Sequence, residues 1–83
     1  MKVIFTHQAL RNLKKLDKKT QLRIITKLEF YSKQKDAFIF AEKLVDSNFG
    51  EWRFRIGDYR VLCDYKEKGI IVLKIGHRRE IYK

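Results

Sequence analysis

The fold is decided by residues 51–65, which read EWRFRIGDYRVLCDY. In Glu51–Ile56 apolar side chains alternate with arginines, and a period of two is typical of a β-strand buried on one face. Gly57-Asp58 then places glycine first in a two-residue loop, as a type II′ hairpin turn requires. The predicted register pairs Ile56 with Tyr59, Arg55 with Arg60, Phe54 with Val61 and Trp52 with Cys63.

A third strand follows, and the alternation of its apolar and polar residues predicts whether the loop before it has an even or an odd number of residues. With an even-numbered loop, Ile71 and Leu73 would lie beside the arginines and Lys74 would point into the core. A three-residue loop, Glu67-Lys68-Gly69, with Gly69 in the left-handed bulge position, corrects this. The predicted pairs are Tyr65 with Ile71, Cys63 with Leu73 and Val61 with Ile75.

One face of this sheet then collects five cations. They are Arg53, Arg55, Arg60, Lys74 and, if the strand continues through Gly76, Arg78. Like charges opposite one another, such as Arg55 and Arg60, destabilise an antiparallel pair by a few tenths to about 1 kcal/mol, and only Asp64 is predicted to offer a counter-charge on this face. An ordinary solvated face is one interpretation. Arginine suits bidentate binding of phosphate oxygens, so we favour a site for an anion with several phosphates.

The first half of the chain has a different period. From Thr6 to about Lys35 apolar residues recur at helical spacing, with a break at Asp17-Lys18-Lys19-Thr20, whose first or last residue can cap a second helix. A strand is predicted at Lys2–Phe5, and Ala37–Val45 is predicted to be a connector with a turn of helix. The expected fold class is α+β: a single small two-layer domain over residues 1–83, with an N-terminal strand, a helical hairpin and an antiparallel sheet of C-terminal strands.

Composition narrows the class of protein. Twenty Lys and Arg against ten Asp and Glu give a formal charge of +10, which attracts nucleic acid or an acidic protein. A hydrophobic content of 45% indicates a globular chain. The single Cys63 excludes an intramolecular disulfide and, with His7 and His77, matches no zinc-site spacing, so we expect a reducing compartment, no metal and no cofactor. No apolar stretch approaches the roughly 20 residues that span a bilayer, so we expect a cytoplasmic protein without a membrane partner.

The C-terminal segment adds groups that could transfer protons. Arginine cannot act as a general base, so any base would be His77, Glu80, Tyr82 or Asp64. Tyr82 would need nearby guanidinium groups to lower its pKa, and packing on the sheet is its other interpretation. His77 has the opposite parity to Arg78, which favours a core-side or hydrogen-bonding role. The alternation that includes Trp52 favours core packing over stacking on a base.

Two motifs together resemble a known family. Gly57-Asp58-Tyr59-Arg60-Val61 and the later GHRREIY of residues 76–82 are similar to the signature of RelE/ParE toxins of bacterial and archaeal toxin–antitoxin operons. The resemblance covers nearly the whole chain and implies the same order of strand, two helices and strands. RelE-like toxins enter the ribosomal A site and cut messenger RNA with basic residues and a C-terminal tyrosine. By position it implies basic roles for Arg53, Arg55, Arg60 and Arg78, and the tyrosine role for Tyr82.

The resulting hypothesis is metal-independent transesterification, in which the RNA 2′-hydroxyl attacks the adjacent phosphorus. Arg60 and Arg78 would stabilise charge on the phosphoryl oxygens, and Tyr82 would accept or relay the proton. Substrate-binding roles fall to Arg53, Arg55 and Lys74. RelE nucleases carry lysines at the positions of Arg53 and Arg55, and arginine transfers protons far less readily than lysine.

The partners implied are the ribosome, messenger RNA and an acidic antitoxin. The ParE branch of the family shares the fold but poisons DNA gyrase, and a nucleic-acid-binding module without chemistry is a third possibility. The cations of the helical hairpin form either a solvated face or a surface that docks on ribosomal RNA. They are Arg11, Lys14, Lys15, Lys18, Lys19, Arg23 and Lys27.

Overall fold

The computed structural model describes residues 1–45, 48–67 and 69–81, which form a five-stranded sheet with two helices on one face. The elements are β1 (Lys2–Phe5), α1 (His7–Lys14), α2 (Lys18–Ser32), a 3-10 helix (Ala37–Phe40), β2 (Ala41–Lys43), β3 (Trp52–Ile56), β4 (Tyr59–Lys66) and β5 (Gly69–His77). The strand order is β1-β5-β4-β3-β2, with β1 parallel to β5 and the other neighbours antiparallel. The predicted two-layer α+β class is confirmed.

Polar side chains set the start of each helix. The side chain of Thr6 accepts a hydrogen bond from the backbone N–H of Ala9 at 3.1 Å and so caps α1. Asp17 Oδ1 accepts from the N–H of Thr20 at 2.7 Å and caps α2. This backbone hydrogen bond lowers the pKa of Asp17. The predicted break between the two helices is therefore confirmed, with Asp17 as the cap.

The core lies between the helices and the sheet. Phe54 is fully buried at its centre and stacks on the ring of Tyr31 at a centroid distance of 4.9 Å. Trp52 packs against the edge of the core, 5.0 Å from the ring of Phe38, which confirms the packing role predicted for it. The other buried core residues are Ala9, Leu13, Ile24, Leu28, Ala37, Ile56, Val61, Cys63, Ile70, Val72 and Ile75.

The first predicted hairpin is confirmed residue by residue. β3 and β4 pair in the expected register from Ile56 opposite Tyr59 to Trp52 opposite Cys63. Gly57 has a φ of +60°, the left-handed value that a primed hairpin turn needs at its first central position.

The second hairpin differs from the prediction. Gly69 belongs to β5, opposite Lys66, and so is not part of a three-residue loop. A β-bulge absorbs the odd residue inside the sheet: the register shifts between Leu62 and Cys63 of β4, and Leu73 is the extra residue on β5. The predicted pairs of Cys63 and Tyr65 were therefore wrong, whereas that of Val61 with Ile75 is confirmed. The observed pairs are Leu62 with Lys74, Cys63 with Val72, Asp64 with Ile71 and Tyr65 with Ile70.

Gly69 has a different purpose from the one predicted. It lies opposite Lys2 of β1, and a Cβ atom at this position would collide with the carbonyl oxygen of Lys2. Glycine here lets the first strand approach the last one closely.

The connector contains one element that the sequence did not reveal. The predicted turn of helix is present as the 3-10 helix at Ala37–Phe40. The next three residues form β2, with Glu42 opposite Arg53. Three residues are too few to display a period of two, which is why this strand was missed. No helix in the described ranges is long and apolar enough to cross a membrane.

We expect Cys63 to be chemically inert in the folded protein. Its side chain is fully buried, and burial, with the adjacent charge of Asp64, raises the pKa of its thiol to about 12. Because the thiolate is the reactive form, the aromatic disulfide DTNB should not react at neutral pH until denaturant is added, after which it should react fully. Rapid reaction without denaturant would show that β4 is not packed as described.

Candidate anion-binding site

Cross-strand pairs order the side chains on the outer face, the face of the sheet opposite the helices. One row runs from Glu42 through Arg53 and Leu62 to Lys74. The next row holds Arg55, Arg60 and Gly76. The structure therefore brings together the four strand cations that were predicted to share a face, which are Arg53, Arg55, Arg60 and Lys74.

A carboxylate that sequence reasoning missed lies among these arginines. Glu42 Oε2 pairs with Arg53 Nη2, and Glu42 Oε1 lies 2.7 Å from Arg55 Nε. The hydrogen bond from Arg53 lowers the pKa of Glu42, and the charges of Arg53, Arg55 and Arg60 lower it further. The expectation that only Asp64 supplies a counter-charge was wrong, because the unrecognised strand β2 places Glu42 on the same face.

Asp64 itself has another partner. Its Oδ1 accepts a hydrogen bond from the backbone N–H of Glu51 at 3.0 Å, at the start of β3. This contact gives the carboxylate a structural role in joining the two strands. Its suggested role as a general base gains no support from the contact.

The turn at Gly57-Asp58 gathers a second set of guanidinium groups. Arg60 Nη1 donates to the carbonyl oxygens of Gly57 at 2.9 Å and Tyr59 at 3.0 Å. Arg78 donates its backbone N–H to the carbonyl oxygen of Asp58 at 2.8 Å, and its Nε lies 3.8 Å from Asp58 Oδ1. Arg78 is the first residue after β5, and its contacts with Asp58 place it beside the Gly57-Asp58 turn.

Arg23 of α2 also reaches this turn. Its Nη1 lies 2.8 Å from the position that a Cβ atom at Gly57 would occupy. The sequence alone groups Arg23 with the other cations of the helical hairpin, as part of a solvated face or of a surface that docks on ribosomal RNA. Only the three-dimensional packing of α2 against the end of β3 could reveal this contact.

Lys74 is on the outer face, where it contacts an aromatic ring. Its Nζ lies 4.2 Å from the centroid of Phe49, a cation–π distance. Gly50, the residue after Phe49, packs closely against β4 and β5, because a Cβ atom there would lie 2.6 Å from the carbonyl oxygen of Cys63 and 2.8 Å from Leu73 Cδ1. Leu62 is fully buried on this face. The outer face is therefore partly apolar and more enclosed around Lys74 than a plain cationic surface.

The C-terminal groups are only partly described. His77 Nδ1 accepts a hydrogen bond from the N–H of Arg79 at 3.2 Å, and the His77 ring packs edge-to-face on Tyr59. The predicted hydrogen-bonding role of His77 is confirmed. Ile81 is almost fully buried beside Gly76, and Glu80 is exposed. Tyr82, the predicted proton acceptor, lies outside the described residues.

This arrangement can bind and polarise anions. Arg55 and Arg78 are more than half exposed, with side-chain exposures of 58% and 54%. Both can therefore contact a ligand from solvent, and guanidinium groups bind phosphate oxygens in pairs. Among the described residues, no group of three His, Cys, Asp or Glu side chains could hold a metal ion.

Comparisons with known proteins agree with this architecture. Residues 3–82 match the family described as "ParE toxin of type II toxin-antitoxin system, parDE". The fold is similar to a chain of the RelBE2 toxin–antitoxin complex from Mycobacterium tuberculosis, with a TM-score of 0.73, 24% identity and coverage of 92% of this chain and 95% of that one. It is also similar to a chain of the RelB–RelE antitoxin–toxin complex from Methanococcus jannaschii, with a TM-score of 0.70, 21% identity and coverage of 95% and 94%. No curated protein matches the chain.

Proposed function

The chain belongs to the RelE/ParE superfamily of type II toxin–antitoxin toxins, and from this premise we propose that it is an endoribonuclease that cuts messenger RNA on the ribosome. The observation that carries the proposal is the position of Arg55 and Arg60, which are directly opposite each other on the outer face. Such a pair costs stability, and an anion beside the two charges offsets this cost; Glu42 supplies one such anion on Arg55, and a bound phosphodiester would supply another. A phosphodiester backbone is an anion of suitable size and charge.

The roles of the side chains follow from their positions. Arg53 and Arg55 would hold the RNA backbone in line, with Lys74 beside them. The guanidinium of Arg60 is held by the turn carbonyls, and the backbone of Arg78 is held by the carbonyl oxygen of Asp58, so both would present charge to the phosphoryl oxygens from defined positions.

The bond changes are those of transesterification. The 2′-oxygen would bond to phosphorus and the 5′-oxygen would leave, giving a 2′,3′-cyclic phosphate and a 5′-hydroxyl end. From the sequence alone we assign the 2′ proton to the phenolate form of Tyr82, and the leaving 5′-oxygen would take its proton from water. Neither Arg53 nor Arg55 would take the 2′ proton, because guanidinium groups keep their protons.

A second candidate is inhibition of DNA gyrase. Two observations favour it: the matching family is described by the name ParE, and Arg53 and Arg55 are both paired with Glu42. In this case the arginines would stabilise the sheet and the target would be a protein.

One experiment separates the two candidates. We expect primer extension on messenger RNA, after brief expression of the protein, to show breaks at a constant position within codons. Purified gyrase incubated with the protein and relaxed plasmid should supercoil the plasmid at its normal rate. Intact messenger RNA together with inhibited supercoiling would contradict the nuclease proposal and support the gyrase candidate.

We also propose an acidic antitoxin as the protein partner, since both similar structures are antitoxin–toxin complexes. α2 offers it a surface, because Leu22 and Phe30 are exposed beside the cations Lys19, Arg23 and Lys27. An amphipathic acidic segment would complement this combination of charge and apolar area.

The remaining cations of the helical hairpin are exposed and could contact ribosomal RNA. Binding to the ribosome should then weaken steeply with added salt, because each phosphate contact releases counterions.

A further inference from the structure

Glu42 holds the two arginines of β3 in the way that a phosphate would. Its two carboxylate oxygens contact different guanidinium groups, Oε2 with Arg53 and Oε1 with Arg55. Two oxygens on one centre, each bonded by a separate guanidinium, is also the arrangement that a phosphodiester offers with its two non-bridging oxygens. The carboxylate is therefore a chemical stand-in for a bound anion.

This carboxylate is placed where it can be exchanged. The side chain of Glu42 is 45% exposed and that of Arg55 is 58% exposed. Glu42 lies on β2, a strand of three residues at the edge of the sheet. The Glu42–Arg55 ion pair is exposed and contributes little net stability. The side chain of Arg53 is only 18% exposed and needs an anionic partner, which an oxygen of the incoming anion supplies as it replaces the carboxylate.

Glu42 also reduces the repulsion between the neighbouring positive charges. Arg55 and Arg60 are opposite each other in the register, and Arg60 contributes to lowering the pKa of Glu42. Three guanidinium groups therefore act on one carboxylate. An anion at this place relieves the like-charge repulsion whether it comes from the chain or from a ligand.

We propose that Glu42 is a built-in competitor for a phosphate-binding site formed by Arg53, Arg55 and Arg60. Its carboxylate fills the site in the unbound protein, and a phosphodiester of single-stranded RNA displaces it. The inference rests on the proposed function, since it takes RNA as the ligand. Its consequence is that the protein binds RNA less tightly than the arginines alone would allow.

The test is the affinity of the full chain for a short fluorescein-labelled single-stranded RNA, measured by fluorescence anisotropy. Glu42→Gln keeps the shape of the side chain and removes its charge, so it should lower the Kd about fivefold to tenfold. Glu42→Ala should do the same and guards against a specific effect of glutamine. Thermal unfolding of each variant establishes that it is folded.

A matched control removes the effect of overall charge. Glu29 is exposed on α2, so Glu29→Gln raises the net charge by the same amount in the opposite layer. This control should change the Kd less than about twofold, since exposed charges more than a Debye length apart are largely screened. Equal tightening by Glu29→Gln and Glu42→Gln would overturn the proposal, and so would unchanged or weaker binding by both Glu42 variants.

A double-mutant cycle tests the site itself. If Glu42 acts by occupying the site, then Glu42→Gln should give no tightening when its two partners, Arg53 and Arg55, are both already replaced by glutamine. Tightening that persists in the background of the two arginine substitutions would contradict competition at this site.

The assay needs no cleavage, so it is separate from the proposed enzyme activity. Tighter binding by Glu42→Gln together with intact messenger RNA in cells would support this inference and contradict the nuclease. Cleaved messenger RNA in cells, together with unchanged RNA binding by Glu42→Gln, would support the nuclease and contradict this inference.

Discussion

Arg78→Ala should lower the rate of the proposed ribosome-dependent messenger RNA cleavage by about 10² to 10³, the usual effect of removing one electrostatic donor from a reacting centre. Its side chain is half exposed at the Gly57-Asp58 turn, where its Nε lies 3.8 Å from Asp58 Oδ1. The exposed ion pair contributes little to folding, so the variant should unfold at nearly the same temperature as the unchanged protein. Growth after induction and primer extension on messenger RNA measure the loss.

Arg79→Ala is the matched control for this change. Arg79 is the next residue and is exposed, and its hydrogen bond to His77 uses the backbone N–H, which alanine keeps. The substitution removes one positive charge at the next position of the turn that follows β5. A purely electrostatic attraction to RNA would therefore weaken equally in both variants. Full toxicity of the Arg78→Ala protein, or equal loss in the two variants, would contradict the assignment of Arg78 to the reacting phosphate.

Phe54→Ala should remove a large part of the stability of the fold. Phe54 is fully buried, stacks on Tyr31 at 4.9 Å and contacts the ring of Phe38 at 5.7 Å. Deleting a buried phenyl ring costs about 3 to 5 kcal/mol, out of a total of about 5 to 15 kcal/mol for a small protein. Thermal unfolding followed by circular dichroism should show a Tm lowered by at least about 12 °C.

The same substitution on the surface provides the comparison. Phe30 is half exposed on α2 and lies at the edge of the aromatic cluster, where its ring contacts those of Tyr31 and Phe40. Phe30→Ala should cost about 1 kcal/mol or less. Similar losses from the two substitutions would mean that the core is not centred on Phe54.

Local patterns were sufficient to predict the part of the fold built from consecutive residues. The alternation in β3, the glycine at the Gly57-Asp58 turn and the apolar face of β4 leave one register for the first hairpin, and the structure has it. The cap at Asp17 is equally local, since the acceptor and the donor are three residues apart.

Features that depend on non-local packing could not be predicted in this way. The alternation of side chains shows that one extra residue is needed between β4 and β5, but it does not show whether that residue lies in the loop or in a bulge. In the structure it lies in the bulge where the register shifts between Leu62 and Cys63. β2 has three residues and forms a strand only because β3 offers it a partner. The pairing of Glu42 with the arginines follows from β2, and so it too was missed.

The candidate site also contains some residues that local patterns could predict and others that they could not. Its strand arginines could be found because side-chain direction alternates along β3 and β4. Arg23 could not, since it approaches from α2 across the end of the sheet. Tyr82 was assigned by family resemblance alone and stays a prediction.

The parallel pairing of β1 with β5 makes completion of the sheet depend on synthesis of the last strand. β1 lies at one edge of the sheet and contacts no strand other than β5 among the described residues, so residues 2–5 have no strand partner until residues 69–72 have been made. Contacts between segments so far apart in sequence form late in folding. The hairpin of β3 and β4, which aligns Arg55 with Arg60, is therefore complete in a nascent chain before β1 has a strand partner, and the five-stranded sheet closes only once β5 has been made.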